Sequence, residues 1–226
     1  MSVLQHLPGD KKQACSVGLL MVVNGRSLST EPLLKLKKEL ETALQEQYRD
    51  LPRKELKGLH PMDVYVAYYK KFGYTYHVLG QLESVIRGKG IPTGLPLVQA
   101  MFMAELKNLL LTAVHDLEKV EGTLKLQQAT GEERYTTLSG REVATVPGDA
   151  MIADQEAVIS SILRGPDRRT CIDEKSCGAV YTVYAPPGIE ESAIHRHLND
   201  LETYIHAFAP EAVTQSKQVW MHATGF

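Results

Sequence analysis

Several groups of residues in this 226-residue chain have types and spacings that chemistry uses. His195 and His197 form an apparent pair. On a helix, residues two apart point about 200° away from each other, so they cannot chelate one ion from that helix. Cys171 and Cys177 have no second pair of ligands elsewhere, and a structural zinc site is not expected. Gly88-Lys89-Gly90 through Gly94 offers glycines and a lysine but lacks the Walker spacing and the closing Lys-Ser/Thr pair. It follows a helical segment, so a helix C-cap and turn accounts for it better. There is no Gly-x-Ser-x-Gly elbow and no cysteine with an assigned histidine partner, which leaves catalysis by a protein nucleophile without support. No metal and no cofactor is expected.

Three further stretches are more informative: His115-Asp116-Leu117-Glu118-Lys119-Val120-Glu121-Gly122, then Gly148-Asp149-Ala150-Met151-Ile152-Ala153-Asp154, then Arg164-Gly165-Pro166-Asp167-Arg168-Arg169-Thr170. A histidine with an ordinary pKa near 6.5 is largely neutral at pH 7 and can serve as base or water anchor, with an aspartate to orient it. That makes His115 and Asp116 the catalytic candidates. The competing account has Asp116 cap a one-turn helix that joins a long helix to the first strand after it, with Gly122 as its stop. The competing account of Arg168-Arg169-Thr170 is a polar turn between strands.

The elements that must position these residues are legible from periodicity. Val17-Gly18-Leu19-Leu20-Met21-Val22-Val23 is short, apolar and stopped by Asn24-Gly25, which predicts a buried strand. Ser29-Thr30-Glu31-Pro32 starts a helix to about residue 48, with Leu33, Leu36, Leu40 and Leu44 on one face. Helices follow from about 60 to 73, 78 to 87 and 95 to 111, the last being the most apolar. After Gly122 the pattern alternates, predicting strands near 123–126, 134–138, 151–153 and 179–184. A helix with Ile194, Leu198, Leu201 and Ile205 inward then runs to about residue 208. Helices, then strands, then a helix indicate an α+β fold with mixed or antiparallel sheets flanked by helices, rather than repeated βαβ units.

Composition narrows the class. Hydrophobic residues at 43% and charged residues at 23% describe a globular chain able to bury its own core. The longest apolar run, 17–23, is far short of the ~18–20 residues that span a bilayer. It is preceded by Lys11 and Lys12 but followed by no small-residue cleavage site, so neither a secretory signal nor membrane association is expected. Three cysteines are too few for a disulfide framework, which fits a reducing, cytoplasmic setting. A net charge of −2 argues against a generic nucleic-acid coat and gives no reason to expect DNA binding. Between residues 48 and 90, however, eight basic residues stand against four acids, with Tyr48, Tyr65, Tyr68, Tyr69, Tyr74 and Tyr76 interleaved. Basic groups with aromatic faces suit a phosphate backbone and unstacked bases. Lys70, Lys71, Arg87 and Lys89 are the candidate contacts to such a backbone, the alternative being a solvated helical surface.

The order of the pieces is recognisable. A Gly-Lys-Gly-Ile-Pro turn leads to a long apolar helix, then Asp-Leu-Glu-Lys-Val-Glu-Gly-Thr-Leu, Gly-Asp-Ala-Met-Ile-Ala-Asp, Gly-Pro-Asp-Arg-Arg-Thr-Cys-Ile and a strand ending in Tyr-Ala-Pro. This resembles the B3/B4 domain of the bacterial phenylalanyl-tRNA synthetase beta subunit and its freestanding relatives. The resemblance covers about 62–208 of a single domain spanning 1–226, with 1–61 as a strand–helix extension.

The resemblance implies a pocket for an amino acid esterified to tRNA and hydrolysis of the wrong ester in trans. A binding site rejects near-isosteres only by modest factors, so a second, hydrolytic site improves fidelity. Such chemistry needs a positioned water and donors for the oxyanion, not a nucleophilic side chain. It places substrate-binding residues at Phe102, Glu105, Asp154, Arg168, Thr170 and Ser176. The chain departs from the family pattern at Ala113, where a histidine is common, at His115, where phenylalanine or tyrosine is common, at Phe102 in place of an asparagine, and at Val180 in place of a glutamate. These changes point away from tyrosine as the substrate side chain. A smaller amino acid stays open, as does a non-catalytic tRNA- or amino-acid-binding module. A complete tRNA ligase is excluded, since nothing supplies an ATP site.

Overall fold

The computed structural model describes residues 15–221. Lys11 and Lys12, weighed above as the flank of a leader, lie outside the described residues. The architecture is α+β, and every strand pairing is antiparallel. Strand β1 (Ser16–Val23) is followed by helices α1 (Glu31–Tyr48), α2 (Arg53–Gly58), α3 (Met62–Lys71), α4 (His77–Ile86) and α5 (Pro96–Asn108). Then come β2 (Thr112–Asp116), a 3-10 turn (Leu117–Lys119), β3 (Lys125–Gln128), β4 (Arg134–Thr136), β5 (Glu142–Ala144), β6 (Ala150–Ala153), β7 (Val158–Ser161) and β8 (Gly165–Pro166). The chain continues through β9 (Ala179–Ala185), α6 (Glu191–Phe208) and β10 (Val213–Trp220).

The main sheet has the order β10-β1-β9-β2 and a second sheet the order β3-β6-β7-β8, while β4 and β5 pair as a ribbon. The N-terminal strand is therefore internal to the main sheet, between β10 and β9. That explains its composition: seven of its eight residues are buried. Helix α6 lies on one face of this sheet so closely that a Cβ on Gly18 would come 2.4 Å from Ile194 Cγ2. The opposite face meets the second sheet, tied by Tyr184, whose hydroxyl is 2.5 Å from Ser160 Oγ.

One expected boundary moves. The apolar helix ends at Asn108, because Leu109 adopts a left-handed backbone (φ 58°) that turns the chain out of the helix. The run Leu109-Leu110-Leu111 then feeds β2. His115 and Asp116 thus sit in a fully buried strand, not at a helix–strand junction. Strands β5, β7, β8 and β10 and helix α2 were not expected. The strands are short or polar on one face and are defined by their pairing partners, and α2 is a short helix with one buried residue, Leu56. At the Gly-Lys-Gly turn, Gly88 (φ 86°) and Gly90 (φ 75°) end α4, with Gly88 N–H donating to Val85 O at 2.9 Å.

Candidate functional site

A cavity of about 380 Å³ opens where α5, the edge strand β2 and the β7–β8 hairpin meet. Helix α5 supplies Val98, Met101, Phe102 and Glu105, the i, i+3, i+4, i+7 set of one face. Residues 111–114 and Tyr184 form the sheet wall, 161–166 the hairpin wall, and Tyr69, His77, Leu138, Cys171 and Ile172 complete the lining. The walls are mainly apolar with a few polar groups, the usual constitution of a small-molecule site.

Glu105 is the deepest charged group, 1% exposed. Its Oε1 accepts from Thr112 N–H at 3.1 Å. Burial pushes its pKa up, only partly offset by that N–H, to about 8. Thr112 is held in turn by His197 of α6, Nε2 to Oγ1 at 2.8 Å. Burial also pushes the His197 pKa down to about 3, so the ring is neutral. His195 points into solvent beside Glu191. The two histidines of the pair therefore sit on opposite faces of α6.

Two wall groups are more accessible. Arg164 is half-buried, its Nε donating to Ala144 O at 3.2 Å and its guanidinium standing 5.4 Å from the centre of the exposed Tyr74 ring. His77 is exposed while its ring packs edge-on against Tyr69 and Tyr76. That crowding lowers its pKa and favours the neutral ring. Sequence reasoning missed both. Their signal is three-dimensional, because one follows a turn tyrosine and the other precedes a hairpin glycine.

The expected catalytic pair does not reach the cavity. His115 is fully buried (0% exposed), and Nδ1 lies 2.7 Å from Thr170 Oγ1. The Thr170 hydroxyl proton goes to Asp167 Oδ1, so His115 Nδ1–H is the donor and Nε2 carries a lone pair with no partner among the described residues. Burial drives its pKa down to about 3. It is a core histidine. Asp116 accepts from Glu118 N–H at 3.0 Å and from Ser176 Oγ at 2.6 Å, and pairs with Lys119 at 3.3 Å. That is a cap of the 3-10 turn. On this strand the cavity is lined by Thr112, Ala113 and Val114, ahead of His115.

Of the expected substrate-binding residues, Phe102 and Glu105 come together in the wall, and the other four do not. Thr170 is buried between His115 and Asp167. Asp154 accepts backbone N–H groups from Glu121, Glu156 and Ala157 and pairs with Arg169 at 2.7 Å. Its own burial would raise its pKa, but these donors outweigh that and hold the carboxyl below its usual range. Arg168 points outward while Arg169 makes the ion pairs. Ser176 borders a smaller cavity of about 170 Å³ beside Arg26 and Leu95.

The basic candidates fare differently from their tyrosines. Lys70, Lys71, Arg87 and Lys89 are exposed, and none makes an ion pair among the described residues. Tyr48, Tyr65, Tyr69 and Tyr76 are core residues, however, with Tyr65 and Tyr76 stacked at 4.6 Å. Tyr65 OH donates to Tyr184 O at 2.5 Å and Tyr69 OH to Ile162 O at 2.6 Å. Tyr68 is spent on Asp149 at 2.8 Å. These rings cannot stack on bases, and only Tyr74 is left outside.

Among the described residues no cluster of three His, Cys, Asp or Glu side chains could hold a metal ion, and no helix is long and apolar enough to cross a membrane. No family model and no curated protein sequence matches the chain. Among solved structures, the chain is similar to an N-terminal fragment of the phenylalanyl-tRNA synthetase beta-subunit from Pyrococcus horikoshii. The TM-score is 0.46 and the identity 12%, over 55% of this chain and 46% of that one.

Proposed function

We propose that the cavity receives an amino acid esterified to tRNA and that the chain hydrolyses the ester of a wrongly charged tRNA in trans, in the cytoplasm. One observation carries this reading: Ala113, where the resembled family commonly has a histidine, lies in the wall of a mainly apolar cavity of about 380 Å³. The motif order and the cavity thus meet at one strand. The apolar depth takes the amino-acid side chain. The more exposed His77 and Arg164 stand where the ester would lie. A neutral His77 can hold or deprotonate the attacking water, and the Arg164 guanidinium can stabilise the charge that develops on the carbonyl oxygen. Exposed Lys70 and Lys71 directly follow the wall residue Tyr69, so a phosphate backbone can be held beside the cavity.

A second reading, a binding module without hydrolysis, draws on His115 being sealed away from the cavity. One experiment separates them. A panel of mischarged tRNAs is incubated with the protein and loss of the labelled amino acid is followed. Turnover of at least one ester supports the hydrolase. Protection of esters, with tRNA bound, supports the module.

A further inference from the structure

Glu105 is an unusual wall residue for a cavity that is mainly apolar. It has two oxygens able to accept from several donors, yet among the described residues it makes one hydrogen bond, from Thr112 N–H to Oε1. Among the described residues no lysine, arginine or histidine pairs with it. An unpaired carboxylate out of water is costly, and such groups are paired or stay protonated. A group held this way in a binding cavity lacks a cation that a ligand can bring.

We propose that Glu105 is the anchor for a cationic nitrogen, so that the cavity takes ligands carrying a primary amine on an apolar body. This deepens the reading above, on which it rests for the identity of the natural ligand: the amine would be the α-amino group of the amino acid. Phe102 and Met101 flank Glu105 on the same helical face, so the hydrocarbon lies beside the charge site.

The surroundings leave Glu105 as the carboxyl that switches. From the elements packed around it, Tyr65, Tyr69 and Tyr76 approach closely enough to feel its charge, and burial holds all three phenols above their ordinary range. Behind it, His197 reaches it only through Thr112 and stays neutral. In the rest of the wall are Arg164, Cys171, His77, which is neutral above its lowered pKa, and Tyr184, whose phenol burial holds above its ordinary range. An empty cavity thus holds a protonated Glu105 near neutral pH. Binding an ammonium group ionises it and releases that proton.

The test uses 3-methylbutylamine and its neutral counterpart 3-methylbutan-1-ol, titrated calorimetrically into the whole protein from pH 6 to 9. The amine should gain about tenfold in affinity per pH unit until it levels off near pH 8, releasing about one proton per site at pH 7. The alcohol should show neither effect. Glu105→Gln has the shape of the protonated acid and keeps an acceptor for Thr112 N–H, so it should fold normally and lose the amine preference together with the pH dependence. Cys177→Ser, outside the cavity, should keep both. Failure of the folded wild type to bind the amine at pH 8, equal affinity for amine and alcohol, or a pH dependence that survives in Glu105→Gln overturns the anchor. The amine can arrive free or as an ester. With the amine bound, saturation by leucinamide as tight as by aminoacyl-tRNA marks the free form, far tighter binding of aminoacyl-tRNA marks the ester, and either supports the anchor. An amine switch without ester hydrolysis keeps the anchor and removes the hydrolase. Ester hydrolysis unchanged in Glu105→Gln removes the anchor and keeps the hydrolase.

Discussion

His115 Nδ1 and Thr170 Oγ1 lie 2.7 Å apart inside the protein, and the same Thr170 hydroxyl gives its proton to Asp167. This contact joins β2 to the segment after β8, and Arg169 continues it to Asp154 at 2.7 Å. Residues that look catalytic in sequence order here hold one edge of the main sheet against the second sheet.

The first prediction separates structure from chemistry. His115→Asn keeps a donor near Thr170, and ester hydrolysis should stay within about twofold of wild type. His77→Ala should lower it at least about tenfold, or ~1.4 kcal/mol of transition-state stabilisation, with little change in melting temperature. A normal rate in His77→Ala would remove that ring from the mechanism.

Acid stability follows from the same two buried rings. His115 and His197 have folded pKa values pushed down to about 3 from an ordinary 6.5. The unfolded chain therefore binds more protons in that window, and stability present above about pH 6.5 is lost as pH falls toward 3. Glu105 acts in the opposite sense: its folded pKa is raised from 4.5 to about 8, so it costs stability as pH rises through that range. Urea unfolding of wild type should show a maximum near pH 6.5, where the gain from the two histidines ends and the loss from Glu105 continues. Glu105→Gln should match wild type near pH 5 and exceed it at pH 8.5.

Asp154 carries several bonds at once. Asp154→Ala strands three backbone N–H groups and leaves Arg169 without its shortest ion pair, which should cost about 3–5 kcal/mol. Arg168→Ala, at the exposed neighbour, should be within about 0.5 kcal/mol of wild type. Equal effects of the two changes in denaturant titrations would contradict this assignment.

Gly18 tests the packing of α6 on the sheet. A methyl group there meets the β-branched Ile194 at 2.4 Å, and Gly18→Ala should destabilise by about 1–3 kcal/mol. Pairing it with Ile194→Val, which trims the side chain, should recover part of the loss.

The basic surface makes a separate prediction. Affinity for tRNA should fall steeply with salt, and Lys70→Glu with Lys71→Glu should weaken it further. Unchanged affinity in the double variant would place the RNA elsewhere.

Local pattern was enough for much of this molecule. The apolar run of β1, the leucine spacing of α1 and α6, and the glycines that end α4 each carry their own signal, because burial of one face imposes a period on the sequence. The α+β class follows from their order. Phe102 and Glu105 were named from the order of motifs in the resemblance, and no local period marked them. Tertiary structure decided the rest. Whether His115 meets water or Thr170 depends on a second sheet contributed by residues far along the chain. Whether a tyrosine between lysines faces RNA or the core depends on which side of α3 the main sheet covers. Arg164 and His77 enter the same cavity from segments nearly ninety residues apart, and Glu105 lacks a cation because none of the elements around it brings one. Such relationships arise from packing between distant segments, and no local period records them.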